Sequence, residues 1–372
     1  MTIEITNPYD GLDWSEVEHH KSQIHNHPGD PLSNAHEVID LYGGDGPDGD
    51  GNELSDGEEY TVYGCVNDSN RPNPWPWPEL NDIDEDWENR DPENVGGGVV
   101  AFPGHETDQD EHVMALFSTI WDGLMTTRFR DDNNREILER DEFGEPEPLS
   151  AFAHPGRYSE DWDHWAYPFQ QFDREDGLLG LEVFNTASAG NLDTNLGIWD
   201  GLLSVHAPDR LMWGFGVDDP RDPYLIGEQV DRGFNTVLLE SDDFDPSNQE
   251  DSRQAAFEAY LDGRTLAHWR DEWDAETEDP PECPQVNEIS VSGQTIEIDA
   301  TGYDSIEWVS SGDVVGTGDE ITVTEEHHPY VRADIRTNPD AGTLTQPFGV
   351  DAGIESTINE GEVHNGSIGG TL

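Results

Sequence analysis

Lysine is almost missing from this chain. Of 17 basic residues in 372, only Lys21 is a lysine, and they face 83 aspartates and glutamates for a formal net charge of −66. Nucleic-acid binding rests on lysine and arginine contacts to phosphates. No basic stripe runs along the sequence, so neither DNA nor RNA is expected as a partner. Cysteine is scarce too: Cys65 and Cys283 lie far apart, outside any Cys-x-x-Cys spacing. That argues against a disulfide framework and against a thiolate metal site. Long apolar runs are lacking, and nothing approaches the roughly 20 residues a membrane helix needs. The opening MTIEITNPYDGLDW has neither the basic region nor the apolar core of a secretory leader. The expectation is a cytoplasmic protein with no membrane insertion.

What the chain has in excess is acid. Such a chain repels itself at low ionic strength and becomes tolerable when salt shortens the screening length to about 3 Å near 1 M. The acidity therefore reads as a halophilic adaptation to solvent and says little about function. Hydrophobic residues make up only 33%, yet 12 Trp, 13 Phe and 10 Tyr supply large core-forming side chains, so a folded protein is expected.

The segment 43–59, GGDGPDGDGNELSDGEE, is an acidic loop insertion. Asp48, Asp50, Asn52, Asp56 and Glu59 fall at ligand positions of a calcium-binding EF-hand loop, but Glu53 stands where that loop needs glycine. A solvated acidic loop is the simpler reading. Residues 70–94 form a Pro/Trp-rich loop. Short apolar runs bounded by turn residues, at 60–66, 99–107, 112–118, 149–158, 178–185 and 211–219, read as strands. Helices are expected at 134–143, 197–206 and 253–269. This alternation predicts an α/β fold with a parallel sheet in residues 1–275. A linker at 276–285 follows, then an all-β Ig-like sandwich over 286–352 and a polar tail over 353–372. The sandwich and tail are candidates for contact with another protein.

The expected strands end at polar residues: Asp68, Glu106, His154, Asn185 and Asp219. In a parallel sheet those ends face the active site. Together with the pair His25 and His27, and with His112, they make a set of imidazoles and carboxylates suited to Zn, Mn or Fe. His112 heads an apolar strand and reads equally as ligand or core histidine. His19 and His20 read as surface residues. Arg157, in AHPGR, either contacts an anion or caps a turn.

The run His25-Asn-His27, VNDSN, FPGHET, AHPGR, LEVFN, WDGLLS, MWGFGVDDP and DGRTLA resembles the PHP (polymerase and histidinol phosphatase) superfamily over about residues 14–270. It is most similar to the branch of metal-dependent phosphoesterases. The resemblance implies a distorted (β/α)7 TIM-like barrel holding up to three metals, with phosphoester hydrolysis by metal-activated water. It implies that His25, His27, Glu106 and Asp219 form one ion site. Glu106 would bridge to a second ion with His154, joined by His112 or Asp30, with Asp68 a further ligand. Two departures stand out: Ser69 and Arg221 occupy positions where the family has histidines of the third ion site. The implied site is thus reduced to one or two ions.

Arg221 either supplies a substrate anion contact beside the vacated position or pairs with a neighbouring aspartate. The resulting expectation is a phosphoesterase acting on a small phosphorylated substrate. The alternative is a degenerate, non-hydrolytic module with a structural or binding role, for example in a surface or virion assembly. The charge makes its own prediction. Dialysis from molar salt to tens of millimolar should unfold the chain, followed by far-ultraviolet circular dichroism, and refolding should track ionic strength. A spectrum unchanged across that range would remove the halophilic reading.

Overall fold

The computed structural model describes residues 3–26, 60–67, 100–107, 111–118, 137–138, 148–171, 177–186, 192–220, 228–272, 279–337 and 339–353. The chain opens with β1 (Glu4–Thr6), β2 (Val17–Gln23), β3 (Val62–Asn67), β4 (Val100–Glu106), β5 (Val113–Leu116) and β6 (Leu149–Phe152). Next come α1 (Trp162–Gln171), β7 (Leu178–Asn185), α2 (Leu192–His206), β8 (Trp213–Val217), β9 (Gly233–Glu240), α3 (Gln249–Asp262) and β10 (Thr265–Arg270). The C-terminal strands are β11 (Gln285–Ser292), β12 (Thr295–Thr301), β13 (Ser305–Ser310) and β14 (Asp313–Thr317). They continue as β15 (Glu320–Thr322), β16 (Tyr330–Thr337), β17 (Ala341–Thr345) and β18 (Phe348–Asp351). Runs such as LLGLEVFN and GFNTVLLE are buried almost throughout, as strands apolar on both faces must be.

One large sheet has the order β1-β18-β16-β17-β10-β9-β2-β3-β4-β5-β6-β7-β8. Strands β2, β3 and β4 pair in parallel. Strand β5 is antiparallel to both β4 and β6, and β6, β7 and β8 are parallel again. Two reversals restore the original direction. Hence β2, β3, β4, β6, β7 and β8 all end on one side of the sheet, and this positions the site.

The expected (β/α)7 barrel is not what forms. The described residues are mostly β, with three α-helices, and antiparallel β5, β9 and β10 interrupt the strand–helix alternation. Antiparallel neighbours need no crossover helix. The expected helix at 253–269 illustrates the cause. It stops at Asp262 because Gly263 takes a left-handed cap, φ 76°, and the Thr265–Arg270 stretch becomes β10 instead. Of 134–143 only residues 137–138 are described, and both are helical. The acidic loop 43–59, the loop 70–94 and the tail from 354 lie outside the described residues.

Nor do the C-terminal strands make a self-contained Ig-like sandwich. Strands β11, β12 and β15 form a second sheet, but β13, β14, β16, β17 and β18 belong to the large one. The junction is β10 against β17, antiparallel from Leu266 opposite Thr345 to Arg270 opposite Ala341. The core between the two sheets also takes in Tyr9, Leu238 and Leu266 from the N-terminal part.

The outer edge of β8 is closed by side chains. Asn235 on β9 accepts the Gly216 N–H at 3.1 Å and donates to the Gly216 C=O at 2.8 Å. Gln346, after β17, treats Gly214 in the same way, with both bonds at 2.9 Å. Each amide reproduces one rung of a strand ladder. Glycine is needed for this approach: a Cβ on Gly216 would sit 2.2 Å from the His268 carbonyl oxygen.

A buried ion pair ties α2 to β16. Asp200 accepts from Arg332 Nε and Nη2 at 2.9 and 2.7 Å, and from the Tyr330 hydroxyl at 2.8 Å. The Arg332 guanidinium also lies 5.0 Å from the Trp199 ring centroid. Removing one partner leaves a charge uncompensated in the interior, which typically costs about 3–5 kcal/mol. Arg332→Met should therefore lower stability by that order in urea unfolding at fixed salt. A loss below ~1 kcal/mol would show that the pair is not the tie.

Candidate metal centre

The site is built where the six co-directional strands end. His25 follows β2, Glu106 closes β4, His154 follows β6, Asn185 closes β7 and Asp219 follows β8. His112 stands just before β5, whose reversed direction brings its start to the same side. The backbone under His25 is fixed by Gln23, whose side-chain oxygen accepts the Ile24 and His25 N–H groups at 3.1 and 3.2 Å. The Gln23 amide donates in turn to the Gly233 C=O at 2.9 Å.

Glu106 is the shared member. Its Oε1 faces His112 Nδ1 at 2.6 Å and His154 Nε2 at 3.0 Å. Its Oε2 faces His25 Nε2 at 3.3 Å, and that same nitrogen lies 3.5 Å from Asp219 Oδ1. Two overlapping triads result, Glu106–His112–His154 and His25–Glu106–Asp219, each with donor atoms mutually within 4.8 Å. All five residues are buried except His112, which is half-buried. His154 Nδ1 has no hydrogen-bond partner among the described residues.

Behind them stands Glu182, fully buried in β7. It accepts from His25 Nδ1 at 2.5 Å, from the His154 backbone N–H at 2.6 Å and from the Asn185 amide at 2.8 Å. Asn185 also donates to Asp219 Oδ2 at 3.1 Å. With its Nδ1–H directed at Glu182, His25 presents Nε2 to Glu106 and Asp219, the orientation a metal-ligating histidine needs.

Two of the cluster residues hold left-handed backbone without being glycine: His154 at φ 30° and Asp219 at φ 49°. Such conformations cost on the order of 1–3 kcal/mol and persist where the surroundings fix them. Here Glu182 holds the His154 N–H, and the His25 carbonyl accepts the Asp219 N–H at 3.0 Å.

Electrostatics follow from the crowding. Desolvation opposes a charge on His25, but Asp219, Glu106 and Glu182 together outweigh it and raise its pKa well above the ordinary imidazole value. Desolvation likewise opposes a charge on Glu106. His25, His112 and His154 more than offset it, so its pKa lies well below the usual carboxylate range. A cation entering the cluster replaces protons there, so binding is coupled to proton release.

The structure brings together His25, Glu106, His112, His154 and Asp219. His27, Asp30, Asp68, Ser69 and Arg221 lie outside the described residues. Arg157 is exposed in the turn after His154, its guanidinium carbon 5.6 Å from the Tyr158 ring centroid. His20 proves buried rather than superficial: it stacks on Phe244 with ring centroids 3.9 Å apart and pairs with Thr61. The expected His19 surface position is also half-buried.

Glu182 was the residue that sequence reading missed. Its signal is a lone acid inside the apolar run LLGLEVFN. The Tyr158 ring, 5.6 and 5.5 Å from those of His112 and His154, carried no such signal. The nitrogen and oxygen donor set fits a borderline-to-hard divalent cation. No family model, curated protein or solved structure matches this chain.

Replacing Glu182 by Gln removes the charge that orients His25 while keeping the shape. Outer-sphere partners of this kind are worth roughly 10–100-fold in metal affinity. Calorimetric titration of Glu182→Gln with Zn²⁺ or Mn²⁺ should show a loss in that range with the circular dichroism spectrum retained. Unchanged affinity would deny Glu182 its orienting part.

Proposed function

We propose that this protein is a metal-dependent phosphoesterase, hydrolysing a phosphomonoester or phosphodiester at a site of one or two divalent ions, Zn, Mn or Fe. The observation that carries the reading is the division of Glu106, one carboxylate oxygen toward each triad. A carboxylate so placed suits two adjacent ions, the arrangement of many phosphoester-cleaving centres. His25 and Asp219 would hold one ion and His112 and His154 the other, with Glu106 common to both. Ions there supply Lewis acidity, acidifying water and offsetting the charge of phosphoryl oxygens.

The chain's own part is orientation. Glu182 fixes the His25 ring and the His154 backbone, and Asn185 restrains the Asp219 carboxylate. Burial keeps bulk water from competing for these donors. Arg157, exposed beside Tyr158, and Arg221 are the candidates for contact with the substrate's anionic group, a task for which the guanidinium fork is suited.

The deciding experiment is metal content by mass spectrometry together with turnover of p-nitrophenyl phosphate and bis-p-nitrophenyl phosphate in molar salt. Glu106→Gln should lose bound metal and lower turnover by more than the roughly 100-fold upper range of outer-sphere changes. Bound metal without turnover of either ester would leave the cluster a structural role and end the phosphoesterase reading.

A further inference from the structure

The two triads that share Glu106 are not equal, and three features separate them. The first is spacing. Ligands of one tetrahedral ion, held at about 2.0–2.1 Å, sit roughly 3.3 Å apart. His25 Nε2 lies 3.3 Å from Glu106 Oε2 and 3.5 Å from Asp219 Oδ1, so this triad already has the dimensions an ion needs. On the other side Glu106 Oε1 is 2.6 Å from His112 Nδ1 and 3.0 Å from His154 Nε2. Those are hydrogen-bond lengths. His112 has to withdraw by about 0.7 Å before it and Glu106 can be ligands of one ion.

The second feature is support from behind. Glu182 accepts the His25 Nδ1–H at 2.5 Å, and Asn185 donates to Asp219 Oδ2 at 3.1 Å. Both unshared ligands of the first triad are thereby oriented. Glu182 reaches His154 only at its backbone N–H, at 2.6 Å. The ring Nδ1 of His154 is buried and finds no acceptor among the described residues. A metal-ligating imidazole ordinarily donates that second N–H, which fixes its ring and raises its basicity. The third feature is access. His112 is the most exposed of the five side chains, at 15 %, whereas His25 is fully buried.

We infer that the centre loads in two unequal steps. His25, Glu106 and Asp219 hold one resident ion, while His112, His154 and the second Glu106 oxygen take up an exchangeable ion only at higher free-ion concentration. Hydrogen bonds from His112 and His154 to Glu106 hold the second half shut between uptakes. This inference rests on the phosphoesterase reading of the cluster and adds its regulation, since hydrolysis that uses both ions follows the supply of the second. Outer-sphere partners contribute roughly 10–100-fold in affinity, which sets the expected gap between the two steps.

The test uses the full chain in molar salt, stripped of ions by chelation, and its binding arms need no substrate. Titration with Mn²⁺ is followed by electron paramagnetic resonance, and titration with Zn²⁺ by calorimetry. The first ion should bind at least tenfold more tightly than the second, and coupling between two Mn²⁺ ions should appear only as the second binds. His112→Gln should abolish the weaker class and leave the first dissociation constant within twofold. Glu182→Gln should weaken the first class and so narrow the gap. Two ions bound with equal affinity, saturation at a single ion, or loss of the first class in His112→Gln would overturn the inference. Turnover of p-nitrophenyl phosphate should rise with occupancy of the weaker class, and full turnover with one ion bound would overturn the regulatory step. No turnover at full occupancy would instead end the phosphoesterase reading, with the unequal loading still measured by the titrations.

Discussion

Burying Glu106, Glu182 and Asp219 at one end of a sheet is possible only because each meets N–H groups supplied by other strands. An isolated carboxylate in a dry interior is heavily disfavoured, and so is an isolated imidazolium. Here the imidazoles of β2 and β6 and the loop before β5 are interleaved with carboxylates of β4, β7 and the end of β8. No strand is self-sufficient. Position along each strand, register between neighbours and the direction of every pairing all have to be right before these carboxylates and imidazoles meet. The geometry of the candidate centre is therefore a consequence of the sheet, and the sheet's end is tolerable only because the cluster completes it.

The same sheet presents differently lined surfaces at its strand ends and on its outer face. Along β2, alternate residues face opposite ways: His20 and Ser22 point toward the packed interior, while His19 and Lys21 line the outer recess. The carboxyl ends of the strands carry the acidic, imidazole-rich centre. The outward face of β2, β9 and β10, beside the second sheet, carries Lys21 and Arg270, both paired with Asp231.

Strand ends were legible in the sequence because each apolar run stops at a polar residue, and Glu106, His154, Asn185 and Asp219 were found in that way. The architecture was not. A short buried run reads the same whether its neighbour is parallel or antiparallel, so β5 could not be distinguished from a strand of a parallel barrel. The TLAHW stretch looked like a continued helix, since only the backbone shows that Gly263 breaks it. Strand β2 gave no apolar alternation at all, its inward positions being His20 and Ser22, and the histidines there were taken for surface residues. Glu182 escaped because a lone acid in an apolar strand is informative only once its three partners are known.

The amide of Gln346 bears on how the molecule is made. It closes the edge of β8 at Gly214, from 132 residues further along the chain. During synthesis β7 and β8 emerge long before their closing partner does. Until residue 346 leaves the ribosome, β8 exposes glycine backbone that another chain's strand can pair with. The late-arriving C-terminal segment thus completes an edge that the rest of the molecule leaves open.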